Sequence, residues 1–180
     1  MKEFGIICLM PEEINSYYQE LRLKVAGQFG FDANLNVPAH ITIKYRFPIE
    51  DDGVVEKAVQ EFCASQIKTK WMLHDFNYFD NGDDYVVFID VMASKEVRKA
   101  HSDFLDRLRA IEWVSWGQFD NANLHYHVTL AANGITSENF GAVWEYVNQF
   151  EKPNFEVFFD NLALVKIEED SRSIYKIFRF

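Results

Sequence analysis

"PAHITIKYRF" (residues 38–47) and "LHYHVTLA" (residues 124–131) are two strand-like stretches of one design. Each carries a histidine with a threonine two positions on, His40-Ile41-Thr42 and His127-Val128-Thr129, then an apolar residue, Ile43 or Leu130. Strand side chains alternate between faces, so each His shares a face with its Thr while Ile41, Ile43, Val128 and Leu130 point into a core. On the same alternation Lys44 and Arg46 join the His40 face and His125 joins the His127 face, whereas Tyr45 and Tyr126 turn inward. With five His and four Thr in 180 residues, a shuffled chain would place Thr two positions after His roughly 0.1 times. A lone strand histidine is more often structural. Two in matching positions of an internal repeat point to a function.

The elements around the two motifs make that repeat visible. Residues 4–10 form an apolar run suited to a buried strand. Pro11 then opens a helix with Glu12 and Glu13 in its first turn, and Ile14, Tyr17, Leu21 and Val25 recur at helical spacing. A loop over 27–38 leads to the His40 strand, and Val54, Val55, Ala58, Val59 and Phe62 mark a second helix. Strands over 70–79 and 84–92 flank a "DNGDD" turn, a strong hairpin signal. The order then recurs. Ser94 caps a helix with Val97, Phe104, Leu108 and Ile111 on its apolar side, and a loop over 112–123 leads to the His127 strand. Thr136 caps a fourth helix carrying Phe140, Val143, Trp144 and Val147, and two strands over 154–167 and 173–180 join through "EEDS". The pattern implies an α+β fold of one domain, residues 1–180, with pseudo-repeat halves of about 1–80 and 84–180. Each half is expected to form a lobe, an antiparallel sheet covered by helices on its outer face, with a groove between the two sheets.

Nearly half of the residues are hydrophobic, which marks a globular chain. A net charge of -10 excludes gripping long double-stranded nucleic acid through a basic stripe, but leaves room for a cationic groove that takes a small phosphorylated ligand. Cys8 and Cys63 are too few for a disulfide scaffold and lack zinc spacing, so both read as buried free thiols. The N-terminal run makes a better first strand than a signal peptide, and no apolar stretch reaches the roughly 20 residues a bilayer requires. A soluble, cytoplasmic monomer without membrane contact is the expectation.

The paired motifs, their separation and the element order resemble the 2H phosphoesterase superfamily, the 2′-5′ RNA ligase-like and cyclic phosphodiesterase proteins. The resemblance covers essentially the whole chain, and "HITIKYRF" and "HVTLA" match its two His-hydrophobic-Thr motifs at every His and Thr. It implies His40 and His127 as a catalytic pair and Thr42 and Thr129 as phosphate-binding hydroxyls. The substrate it implies is a small nucleotide or RNA end, without metal or other cofactor. Opening a 2′,3′-cyclic phosphate requires a base for the water and an acid for the departing sugar oxygen, and two imidazoles supply both near neutral pH. Lys44, Arg46 and His125 are the candidates for further substrate contact, each with a plainer reading as a solvated or structural strand residue. Trp113 and Trp116 precede the second motif and read as packing before base stacking, while His74 and His101 read as structural.

Four rivals remain. His125 and His127 could chelate a metal, but no third ligand is evident nearby. The histidine-triad nucleotide hydrolases need a third His where this chain has Thr129. A non-catalytic phosphate- or RNA-binding module would be served by Arg or Lys in place of the two histidines. RNA 2′-5′ ligation would use the same site in the reverse direction.

Overall fold

The computed structural model describes residues 2–32, 37–168 and 171–180. Part of the loop over 27–38 and the centre of the "EEDS" turn lie outside the described residues. The chain runs β1 (Glu3–Leu9), α1 (Glu12–Phe29), β2 (His40–Pro48), α2 (Asp52–Ser65), β3 (Thr69–Asp80) and β4 (Tyr85–Ala93). It continues through α3 (Lys95–Arg109), β5 (His127–Ala131), α4 (Phe140–Val147), β6 (Asn154–Phe159), β7 (Asn161–Glu168) and β8 (Ser171–Arg179). Two four-stranded antiparallel sheets result, with strand orders β2-β1-β7-β8 and β5-β4-β3-β6.

Local chemistry sets the helix ends. Pro11 occupies the N-cap of α1 ahead of Glu12 and Glu13, and Gly30 ends that helix at φ 73, a left-handed conformation glycine adopts without strain. Asp51 Oδ1 accepts from the backbone N–H of Gly53 and Val54 at the start of α2, and Ser94 Oγ accepts from Val97 N at the start of α3. At α4 the expected Thr136 cap is not made. Asn139 is the N-cap residue, and its Oδ1 turns back to accept from Thr136 N at 2.8 Å.

The expected strand over 154–167 is two strands. The chain turns at Asp160 between β6 and β7, which belong to different sheets. The sheets therefore do not follow the halves 1–80 and 84–180. One is built from residues 3–48 and 161–179, the other from residues 69–159. The repeat lies in β1-α1-β2 and β4-α3-β5, whose motif strands β2 and β5 are each an edge of their sheet. One continuous core runs through both sheets and the helices, from Ile6, Cys8, Ile41 and Ile43 to Trp71, Ile89, Val128 and Leu130. Aromatic contacts knit it, with Phe62 against Phe104 at 4.9 Å and Trp71 against Tyr126 at 4.9 Å. Among the described residues no helix is long and apolar enough to cross a membrane.

Candidate active site

The two edge strands come together in space, and between them opens a cavity of about 770 Å³ lined by His40, Thr42, His125, His127 and Thr129. His40 and His127 are the first residues of β2 and β5, opposite Leu9 and Asp90, and the threonines follow on the same face opposite Ile7 and Phe88. The start of β2 is held firmly. Ala39 N donates to Asn15 Oδ1 of α1 at 2.9 Å, and Ala39 O accepts from Met10 N at 2.9 Å. β5 is held at its middle residue from the same helix, because the Tyr18 hydroxyl donates to Thr129 O at 2.9 Å.

Each motif histidine makes the same bond. His40 Nδ1 lies 2.7 Å from Pro38 O, and His127 Nδ1 lies 2.8 Å from His125 O. A carbonyl only accepts, so both Nδ1 atoms carry the hydrogen, and in the neutral rings Nε2 holds the lone pair. Among the described residues neither Nε2 has a protein partner. Phe79 and Phe88 form an aromatic floor under His127, with ring centroids 5.0 Å from the imidazole in both cases.

That enclosure sets the electrostatics. The rings keep some accessible surface because the groove is open, yet protein crowds them on most sides and desolvation dominates. Burial depresses the His40 pKa to about 4. The Pro38 carbonyl opposes this, and the charges of Arg172, Arg22 and His127 add to it. His127 is also lowered, first by burial, with the His125 carbonyl and the Asp90 carboxylate opposing and the His125 ring assisting. Both rings are neutral in the empty groove at neutral pH.

Lys44 does not reach the groove. Two register shifts between β1 and β2 place extra residues on β2 between Thr42 and Phe47. The first turns both Ile43 and Lys44 to the buried side. The second puts Tyr45 and Arg46 both on the open side. Lys44 is fully buried and its Nζ donates to Asp120 Oδ2 at 3.0 Å, Ser115 O at 2.9 Å and Tyr45 O at 3.2 Å. Arg46 is exposed outside the groove, 4.0 Å from Glu3. Tyr45, expected inward, lines the cavity. Positive charge enters instead from Arg22 on α1, which donates to the Tyr18 hydroxyl, and from Arg172 on β8.

His125 lines the cavity beside His127, and its Nε2 is engaged by Asp90 Oδ1 at 2.7 Å. Among the described residues no three His, Cys, Asp or Glu side chains gather to hold a metal ion. Tyr126 is buried, as its position implies. His101 is a core residue, with Nε2 2.7 Å from Ile43 O and Nδ1 2.7 Å from the Tyr126 hydroxyl. His74 is half-buried within β3. Neither Trp113 nor Trp116 lines the cavity. Trp113 packs on the core, and Trp116 stacks under Arg109 at 4.5 Å. The aromatic residue of that loop at the groove is Phe119. Arg22 stood four residues after Tyr18, the helical spacing that brings them together, but Phe119 and Arg172 carried no signal in sequence.

Two edge strands that present paired His-x-Thr motifs across a groove define a two-histidine phosphoesterase scaffold. The sequence matches the family model of the 2′-5′ RNA ligase superfamily over residues 10–171, and the chain belongs to that family. Among solved structures, Escherichia coli LigT complexed with NADP+ has 12% sequence identity and a TM-score of 0.61, with 99% of this chain and 98% of that chain covered. LigT complexed with 3′-AMP aligns over the same shares with a TM-score of 0.58. Usb1 of Kluyveromyces marxianus has 10% identity and a TM-score of 0.52, again over 99% of this chain and 98% of its own. At such identities the likeness is one of fold. A search of curated proteins finds no relative.

Proposed function

We propose that the protein is a metal-independent phosphodiesterase that opens 2′,3′-cyclic phosphates of nucleotides or RNA ends, or cleaves a related 2′-5′ linkage, by two-histidine acid/base catalysis. The observation that carries this reading is the matched pair of Nδ1–H to carbonyl bonds, which reserves both Nε2 atoms for proton transfer.

His40 takes the base role. Burial and the charges of Arg172 and Arg22 favour its neutral form, whereas at His127, also lowered by burial, the Asp90 carboxylate opposes the shift. Water attacks phosphorus as His40 Nε2 accepts its proton. The bond from phosphorus to one sugar oxygen breaks, and His127 Nε2–H delivers a proton to that oxygen. The product is a phosphomonoester, and the imidazoles exchange their protons with solvent to reset. The Thr42 and Thr129 hydroxyls donate to non-bridging oxygens and hold the phosphate in line. The bound phosphate's negative charge raises both histidine pKa values and so supplies the protonated acid that the empty groove lacks. The two arginines give an acidic chain a local field suited to a small anionic substrate.

The test is hydrolysis of a nucleoside 2′,3′-cyclic phosphate by the wild type in excess chelator, with the product identified as the 2′- or 3′-phosphate. Turnover that persists and gives one regioisomer is expected. Turnover abolished by chelator and restored by a metal would move the chemistry to a metal held at His125 and His127. Phosphate binding without turnover would make the protein a binding module.

A further inference from the structure

The two motif histidines lean on carbonyls that are fixed by different means. The Pro38 carbonyl belongs to a planar peptide whose other end, the Ala39 N–H, donates to Asn15 Oδ1 at 2.9 Å, and the proline ring fixes φ before it. The His125 carbonyl lies ahead of β5, which begins at His127. Its residue is held by its own side chain. A carboxylate only accepts, so His125 Nε2–H donates to Asp90 Oδ1 at 2.7 Å. The ring also makes edge contacts with Phe79 and Phe88, at centroid distances of 5.4 and 5.3 Å. Asp90 is itself fixed. It stands opposite His127 in the β4–β5 pair, its Oδ2 accepts from Asn77 Nδ2 at 3.2 Å, and its Oδ1 accepts from Val91 N at 2.8 Å. Val91 N reaches Tyr126 O as well, at 3.2 Å, so the 125–126 peptide is gripped from both ends. With the His125 side chain 45% exposed, the pair adds little to stability, and its consequence is local, the direction of one carbonyl.

We propose that Asp90 and His125 are positioning residues for the second motif histidine, the carboxylate holding the His125 ring and the held residue aiming the carbonyl that takes the His127 Nδ1–H. This inference rests on the reading of His127 as the proton donor of the groove and adds what orients that donor. The pair acts through His127 and not on the substrate. A carbonyl held in place keeps the hydrogen on Nδ1 and aims Nε2 at the phosphate. A carbonyl free to swing lets the neutral ring turn and carry its hydrogen on Nε2. Pro38 stands where the second motif has His125. Loss of the pair should therefore affect His127 and spare His40.

The test reads the ring tautomers by nitrogen NMR at neutral pH in the wild type, Asp90→Ala, His125→Ala and His125→Gln. The same proteins are assayed for kcat and KM on a nucleoside 2′,3′-cyclic phosphate. Glutamine is the conservative variant, because its amide N–H can reach Asp90 from the same backbone position. In the wild type both His40 and His127 should show the Nδ1–H tautomer. In Asp90→Ala and His125→Ala, His127 should pass to a tautomer mixture with His40 unchanged. In those variants kcat should fall about tenfold to a hundredfold, with KM within about threefold of wild type. His125→Gln should restore the His127 tautomer and most of kcat. The role would be overturned by a wild-type His127 on the Nε2–H tautomer, or by a His127 tautomer or a kcat that both alanine variants leave unchanged. A loss carried in KM, His40 changing together with His127, or His125→Gln behaving as His125→Ala would overturn it equally. A His127 tautomer that follows the pair in a protein that hydrolyses no cyclic phosphate would leave the pair standing and remove the hydrolytic reading.

Discussion

A histidine that gives its Nδ1–H to the carbonyl two residues before it has one nitrogen left for chemistry, and this chain builds that arrangement twice. The pH dependence follows from the environments of the two rings. A general base works only when neutral, so its limb of kcat/KM falls below its own pKa, about 4 for His40. A general acid works only when protonated, so the other limb falls above the pKa of His127, which lies below the usual 6.5. The kcat/KM profile should therefore peak on the acidic side of neutrality and decline through it. The kcat profile, which reports the complex, should sit further to the alkaline side because bound phosphate raises both values. Coincident profiles would contradict this. His101 makes a separate prediction. Its pKa is depressed by burial to about 4 in the folded chain, so the unfolded chain binds more protons between 4 and 6.5 and stability rises with pH across that window. Urea denaturation should show His101 contributing about 3 kcal/mol that is present above pH 6.5 and lost as pH falls to 4. His101→Gln should flatten that slope.

At the scale of elements, β2 explains both what the sequence revealed and what it hid. His40, Ile41, Thr42 and Ile43 follow strict alternation, and their faces were legible from the pattern alone. Beyond them the extra residues of the bulges invert the faces, so a lysine that alternation sends to the substrate becomes a core anchor and an inward tyrosine becomes a groove wall. Nothing local in "IKYRF" announces this, because the groups that satisfy the irregular backbone come from far away in sequence. Ile43 O accepts from His101, and Tyr45 N donates to Asp120. The break at Asp160 was hidden for a similar reason, since an apolar strand pattern persists across it while the partner strands change. The Lys44–Asp120 pair is the element-scale prediction. Asp120→Ala would leave a buried ammonium without its counter-charge and should destabilise the protein by about 3–5 kcal/mol in urea denaturation. Asp120→Asn, which keeps an acceptor for Lys44, should cost less. Equal stability of the wild type and Asp120→Ala would contradict the anchoring role.

At the scale of the whole molecule, the recurrence of motif and element order was legible, but the partition into sheets was not. The C-terminal strands cross back to the N-terminal sheet, and β7 lies between β1 and β8. Strand order is a long-range property that hydrophobic pattern does not encode. One core shared by both sheets predicts one cooperative unfolding transition, with far- and near-ultraviolet circular dichroism coincident in urea. A chain ending at residue 160 lacks the strand at the centre of one sheet and should not fold, whereas independent lobes would give two transitions and a stable fragment.

Whether His40 and His127 act together on one phosphate is read from kcat for His40→Ala, His127→Ala and the double variant on a nucleoside 2′,3′-cyclic phosphate, with folding checked by circular dichroism. Each single variant should lose about 10²–10⁴ in kcat, and the double variant should fall little below the worse single one, because groups that act as a unit are not additive. Either single variant turning over within a few-fold of wild type would show that the two histidines do not act as a catalytic pair.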